Sequence, residues 1–304
     1  MPEILEALTP TIGVVGGGTM GVGIAYVFAV AGWQTTVVEP DEGRARAVLL
    51  TIGDTATQGV TRGKLTEDQA AAVSGSVRRV ASIAELQSGL GLIVETVPER
   101  FELKQQVLAE IERRHPEMIA TNTSALSIDA LATALERPTG FLGMHFFNPV
   151  WSLPMVELVR GAATSDATVE RARRIATAIG KETITVTDTP GFATSRLDLI
   201  ASLEAMRMLE AGVASADDID RAMVIAYRHP IGPLRLSDIV GLDVRLDIAR
   251  NLALSLGDRY SPPLILEAKV AAGELGKKSG RGFFEWPAEP NTPPNITSND
   301  RGLS

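Results

Sequence analysis

Over the first 187 residues, short apolar runs alternate with longer stretches of mixed polarity; beyond them the spacing is helical throughout. Residues 11–15 form a β-rich run that leads straight into Gly16-Gly17-Gly18-Thr19-Met20-Gly21. Residues 22–31 are small and apolar on every face, which predicts a helix packed closely against a sheet. Gly32 ends that helix, and residues 35–38 form a second strand closing on Glu39. Residues 41–60 read as a helix broken by Thr61-Arg62-Gly63-Lys64, and Thr66-Glu67-Asp68-Gln69 has the form of a capped start to another. Two helices between neighbouring strands exceed what a plain crossover needs, so a helical insertion is expected near 41–75.

Further strands are predicted at 77–80, 91–97 and 118–121, with a helix over 100–114 and another starting near 127. The apolar run Phe141-Leu142-Gly143-Met144 reads as a buried strand ending in His145, and the run 154–159 contains Glu157. A helix over 166–180 and a strand over 183–187 follow. Asp188-Thr189-Pro190-Gly191 is the clearest break in the chain. Helices are then expected over 192–212, 215–227, 237–256 and 264–273. The fold class is therefore α/β: a Rossmann-type doubly wound sheet domain over 1–187, followed by an all-α C-terminal domain over 188–286. Residues 287–304 are rich in Pro, Asn and Ser and read as a loose tail.

Three features of this pattern carry chemistry. A glycine loop between a strand and a helix lets the amides of residues 16–21 approach a pyrophosphate, and an acid about 20 residues on receives the ribose hydroxyls. Glu39 stands at that place and would repel a 2′-phosphate, which favours NAD over NADP. Second, a histidine at the end of one strand and a lone acid within the next can meet side by side, so that the carboxylate orients a general base. A satisfied core histidine beside a coincidental acid fits the same stretch. Third, Glu99, Lys104 and Ser124 follow strands at the carboxyl rim, where doubly wound sheets bind ligands. Turn chemistry alone also accounts for Ser124.

Composition narrows the classes. The 304 residues are 45% hydrophobic and 22% charged, ordinary for a globular enzyme, and the net charge of −8 argues against a nucleic-acid partner. No cysteine is present, and no apolar stretch is long enough for a membrane span. The acidic N-terminus does not look like a signal peptide, and a cytoplasmic location is expected. Of three histidines, His115 sits in a charged helix end and His229 before a proline, so no metal site is expected.

The motifs GVVGGGTMG, VETVPERFELK, TNTSALSI, GMHFFNPVWSLPMVELVRG, TDTPGF, ASADDIDRAM, PIGPLRLSDIVGLD and LGKKSGRGFF occur in that order. Together, over about residues 11–286, they resemble the monofunctional L-3-hydroxyacyl-CoA dehydrogenases, including the 3-hydroxybutyryl-CoA dehydrogenases. The resemblance implies reversible, NAD-dependent oxidation of the 3-hydroxyl of an acyl-CoA, with His145 taking the proton, Glu157 orienting it and Ser124 on the substrate oxygen. It further implies NAD contacts at Glu99, Lys104, Asn148 and Lys278 beside the glycine loop and Glu39. A CoA-receiving stretch around Thr55 and Arg62, and a homodimer made by the helical domain, are implied as well.

Two positions depart from the family pattern. Ala125 replaces a serine, and Ser195 replaces the substrate-binding asparagine of a GF-x-x-N-R motif. A serine hydroxyl reaches less far than an asparagine amide and carries one proton. Dehydrogenation of a free hydroxy acid or sugar acid on the same fold, and a non-catalytic NAD-binding protein, stand as alternatives.

Overall fold

The computed structural model describes residues 11–287; residues 1–10 and 288–304, which include all but the first residue of the expected tail, lie outside the described residues. Strands β1 (Thr11–Val15), β2 (Gln34–Val38), β3 (Val77–Val80), β4 (Leu92–Glu95), β5 (Ile119–Thr121), β6 (Phe141–Phe146), β7 (Met155–Arg160) and β8 (Glu182–Thr187) form one sheet in the order β3-β2-β1-β4-β5-β6-β7-β8. All neighbours pair in parallel except β6 and β7, which are antiparallel. The central strands are buried on both faces, which is why they read as unbroken apolar runs. Ile12, Val14, Leu92 and Val94 enter one core, while Val15 and Ile93 enter the core on the opposite face.

Helix α1 (Thr19–Val30) is buried continuously from Gly21 to Ala29, as its all-round apolar character requires. The insertion is α2 (Glu42–Thr61), capped by Asp41, and α3 (Glu67–Ser76), which opens with a complete capping box on Thr66 and Gln69. Helices α4 (Phe101–Glu112), α5 (Ile128–Ala132) and α6 (Asp166–Ala178) complete the crossovers. The strand order reverses between β1, which pairs with β2 on one side, and β4 on the other. That reversal opens a crevice outside the carboxyl ends of the strands.

Compact units divide between Ser195 and Arg196, beyond the break expected after Thr187. The added residues are bound to the sheet: the Asp188 carboxylate accepts from Ser127 Oγ (2.7 Å) and Asp129 N (2.9 Å), and Phe192 is buried in a sheet core. The second unit is helical, with most of α7 (Thr194–Glu210), then α8 (Ala216–Ala226), α9 (Pro233–Val240), α10 (Leu242–Leu256) and α11 (Leu264–Ala271) around Leu199, Leu203, Met206, Leu234, Leu246 and Leu266. The single helix expected over 237–256 is two, because Gly241 takes φ 106°, outside any helix. Among the described residues no helix is long and apolar enough to cross a membrane.

Candidate active site

The glycine loop leaves β1 at Gly16, whose φ of 116° suits glycine alone. A Cβ on Gly21 would lie 1.9 Å from the Gly16 carbonyl oxygen, whereas at Gly18 nothing stands within 4 Å. The loop thus packs tightly behind and stays open in front. Helix α1 starts with no side-chain cap on Gly18 and no acid in its first turn, so its free amides and positive dipole end suit an anion. Gly16, Gly17, Gly18, Thr19 and Met20 line a cavity of about 940 Å³ that continues past Glu39, Ile83, Val97 and Glu99 to Asn122, Ser124 and His145. Thr96, which the sequence reading did not single out, ties the loop down through a hydroxyl 3.0 Å from both the Val15 and Gly16 carbonyls.

Glu39 is buried at the carboxyl end of β2 and borders the cavity. Its Oε2 accepts from Gly17 N (3.1 Å), and its Oε1 accepts from Asp41 N (2.9 Å) and Arg44 Nη2 (3.2 Å). Across the cavity, Glu99 accepts from Ser124 N (3.0 Å), Ala125 N (3.2 Å) and the Thr123 hydroxyl, and so shapes the loop after β5. Lys104, expected at the cofactor, is 0% exposed and absent from the cavity wall. Its Nζ lies 2.9 Å from both oxygens of Glu95, also 0% exposed, and 3.3 Å from Glu99 Oε2. Lys104 therefore acts behind the wall, holding Glu99. Glu95 was unforeseen, because inside an apolar strand it gave no separate signal.

His145 and Glu157 stand directly opposite one another in the antiparallel β6–β7 pair. His145 Nδ1 lies 2.9 Å from Glu157 Oε2, and the imidazole packs against the Phe147 and Phe192 rings. Glu157 also accepts from Thr194 Oγ1 on Oε2 (2.7 Å), and on Oε1 from Ala193 N (2.9 Å) and Thr194 N (3.1 Å). Burial pushes the Glu157 carboxyl up, but the bonds from His145, Thr194 and Ala193 outweigh it and hold the carboxyl below its usual range. Glu157 is 0% exposed, so the pair meets the cavity through His145 alone.

The remaining expected residues lie elsewhere. Thr55 and Arg62 are exposed on and just after α2, bonded to Thr51 O (2.7 Å) and Gln58 Oε1 (3.3 Å), and do not line the cavity. Asn148 is exposed beyond β6, and half-buried Ser195 occupies the first turn of α7; neither lines it. Lys278 belongs to the helical unit, where its Nζ lies 2.5 Å from Asp243 Oδ2.

The family described as 3-hydroxyacyl-CoA dehydrogenase, NAD binding domain, matches residues 11–189, and the corresponding C-terminal domain matches residues 191–286. The 3-hydroxybutyryl-CoA dehydrogenase of Mycobacterium tuberculosis is 41% identical over 280 residues, which covers 90% of this chain and 98% of that protein. That of Bradyrhizobium diazoefficiens is 36% identical over 287 residues, covering 93% and 97%. The crystal structure of (S)-3-hydroxybutyryl-CoA dehydrogenase PaaH1 from Ralstonia eutropha gives a TM-score of 0.88 at 35% identity, covering 93% of this chain and 100% of that one.

Proposed function

The chain belongs to the 3-hydroxyacyl-CoA dehydrogenase family, and from that membership we infer that it interconverts a short L-3-hydroxyacyl-CoA and its 3-ketoacyl-CoA, with His145 as the proton acceptor. The open front of the glycine loop, the uncapped start of α1 and the acid closing β2 fit NAD, which when bound supplies the hydride acceptor. Gly16, Gly17, Gly18, Thr19, Met20 and Gly21 would hold its pyrophosphate, and Glu39 would receive its ribose hydroxyls.

The proton chemistry belongs to the chain itself. The Glu157 carboxylate keeps a proton on His145 Nδ1, so the neutral imidazole offers an unprotonated Nε2. Nε2 takes the proton of the 3-hydroxyl, and Glu157 stabilises the imidazolium that results. Ser124, on the same cavity wall, donates to the substrate oxygen. In the reverse direction His145 returns its proton to the carbonyl oxygen. Thr55 and Arg62 are assigned to the CoA moiety and Ser195 to the acyl group, where its shorter reach favours a substrate held differently from the asparagine-bearing members. Leu254, Leu264 and Tyr227 leave apolar surface exposed on the helical unit, which supports the homodimer implied by the resemblance.

The observation that carries this reading is the His145–Glu157 bond at the edge of the cavity that begins at the glycine loop. Purified protein supplied with acetoacetyl-CoA should consume NADH. His145→Gln should lower kcat by roughly 10²–10⁴-fold while NADH still binds, as read by its fluorescence. Undiminished turnover in that variant would overturn the assigned role. Turnover of free hydroxy acids without turnover of acyl-CoA would overturn the substrate.

A further inference from the structure

Glu157 receives four hydrogen bonds, and only one of them comes from an imidazole. Oε1 is held by two adjacent backbone amides, Ala193 N and Thr194 N. Oε2 is shared between His145 Nδ1 at 2.9 Å and the Thr194 hydroxyl at 2.7 Å. The turn that delivers these donors has a demanding backbone. Gly191 and Phe192 both take left-handed angles, φ 73° and 48°, and Phe192 is not a residue that adopts one freely. Its ring is 3% exposed and packs against His145, which offsets that strain. The turn is therefore committed to the histidine and the carboxylate at once.

We propose that Thr194 is a positioning residue of this dehydrogenase: its hydroxyl, seated on the Glu157 oxygen that faces His145, aims the carboxylate and tempers its pull on the imidazole proton. The amide pair fixes Oε1 and therefore the plane of the carboxylate. The hydroxyl then competes with Nδ1–H for the charge on Oε2. A carboxylate relieved of that competitor binds the imidazolium more tightly, so the histidine holds its proton to higher pH. The side chains that the sheet and the aromatic contacts set against the pair carry no charge. β8 sets Ile184 opposite Glu157, and His145 is flanked by Phe147 and Phe192. Asn122 and Ser124 on the shared cavity wall are neutral, and the carboxylate of Glu99 there is already bonded to Lys104, Thr123, Ser124 and Ala125.

The inference rests on His145 being the proton acceptor, and the test separates the two. Thr194→Val keeps the side-chain shape and the backbone amide but removes the hydroxyl. The acid limb of its kcat/KM profile should move up by about half to one pH unit, a 3–10-fold change in proton affinity. The loss of activity should be largest below neutrality and shrink at high pH, with KM for NADH unchanged. Thr194→Ser should restore most of the loss, and Thr194→Ala should behave as the valine variant does, which keeps the test readable if either fails to fold. The imidazole titration of His145, followed by NMR without substrate, should show the same upward movement. An acid limb and an imidazole titration both unmoved in Thr194→Val and Thr194→Ala would overturn the proposal, even if stability or kcat fell. Full activity in His145→Gln would instead overturn the reading beneath it.

Discussion

Glu95 closes β4 and Glu157 stands within β7; both side chains are 0% exposed, yet their proton affinities are driven in opposite directions. At Glu95 burial dominates and raises the carboxyl above its usual range, although Lys104, Thr121 and Val97 N all act to lower it. At Glu157 burial also raises it, but four donors prevail and the carboxyl ends below its usual range. Glu95 has the Lys104 ammonium as its main partner, itself fully buried. Glu157 is paired with an imidazole that borders the cavity and can exchange a proton. On the proposed mechanism, the acid paired with Lys104 serves structure and the acid paired with His145 serves chemistry.

The sharpest way to break this contrast is to remove each partner in turn. Lys104→Met leaves Glu95 buried with no counter-charge and should cost about 3–5 kcal/mol in urea unfolding. Adding Glu95→Leu to that variant should recover most of the loss, because a buried pair replaced by apolar groups of similar volume is often neutral. His145→Gln removes only one of four donors to Glu157, so it should cost far less stability while removing most of the activity. Equal stability losses at the two sites would show that both acids are structural.

The pH dependence of stability should sharpen the contrast by sign. Glu157 has a folded value below its unfolded one, so its stabilising contribution is present above the usual carboxylate value of about 4.3 and is lost as pH falls through the folded value. Glu95 has a folded value above its unfolded one. Its contribution is complete below about pH 4.3 and is lost as pH rises through the folded value. Relative to wild type, Glu157→Gln should therefore lose stability as pH rises toward about 4.3, and Glu95→Gln should gain it as pH rises above about 4.3. The slopes should reach at most about 1.4 kcal/mol per pH unit. Urea midpoints across a pH series would read both, and slopes of the same sign would refute the assignment.

Much of this arrangement was legible in the chain because its signals are local. The glycine loop and Glu39 depend on spacing within one strand-helix-strand unit, and the two apolar runs around His145 and Glu157 gave their side-by-side pairing. The supporting hydroxyls carry no such signature: Thr96 reaches Val15 across 81 positions, and Thr194 reaches Glu157 across 37. A threonine in a turn or strand looks the same whether or not a carboxylate waits beyond it. Lys104 was placed at the cofactor by resemblance, and only its burial shows that it reaches the cavity through Glu99. Gly241 within a helical pattern reads as a tolerated glycine, and its positive φ is what divides α9 from α10.

The smallest expected effect compares two matched hydroxyls. Thr121 Oγ1 donates to Glu95 Oε2 at 2.5 Å, as Thr194 Oγ1 donates to Glu157 Oε2 at 2.7 Å. Each threonine changed to valine loses one donor to a buried carboxylate and keeps its volume. Thr121→Val should cost about 1 kcal/mol of stability, since Glu95 keeps Lys104 and Val97 N. It should leave the acid limb of the rate profile where it was, because the Glu95 oxygen it releases is shared with Lys104 and not with His145. Thr194→Val should move that limb for the opposite reason. If Thr121→Val displaced the limb as far as Thr194→Val did, the shift would report a general loosening of the sheet, and the distinction between the two acids would fail.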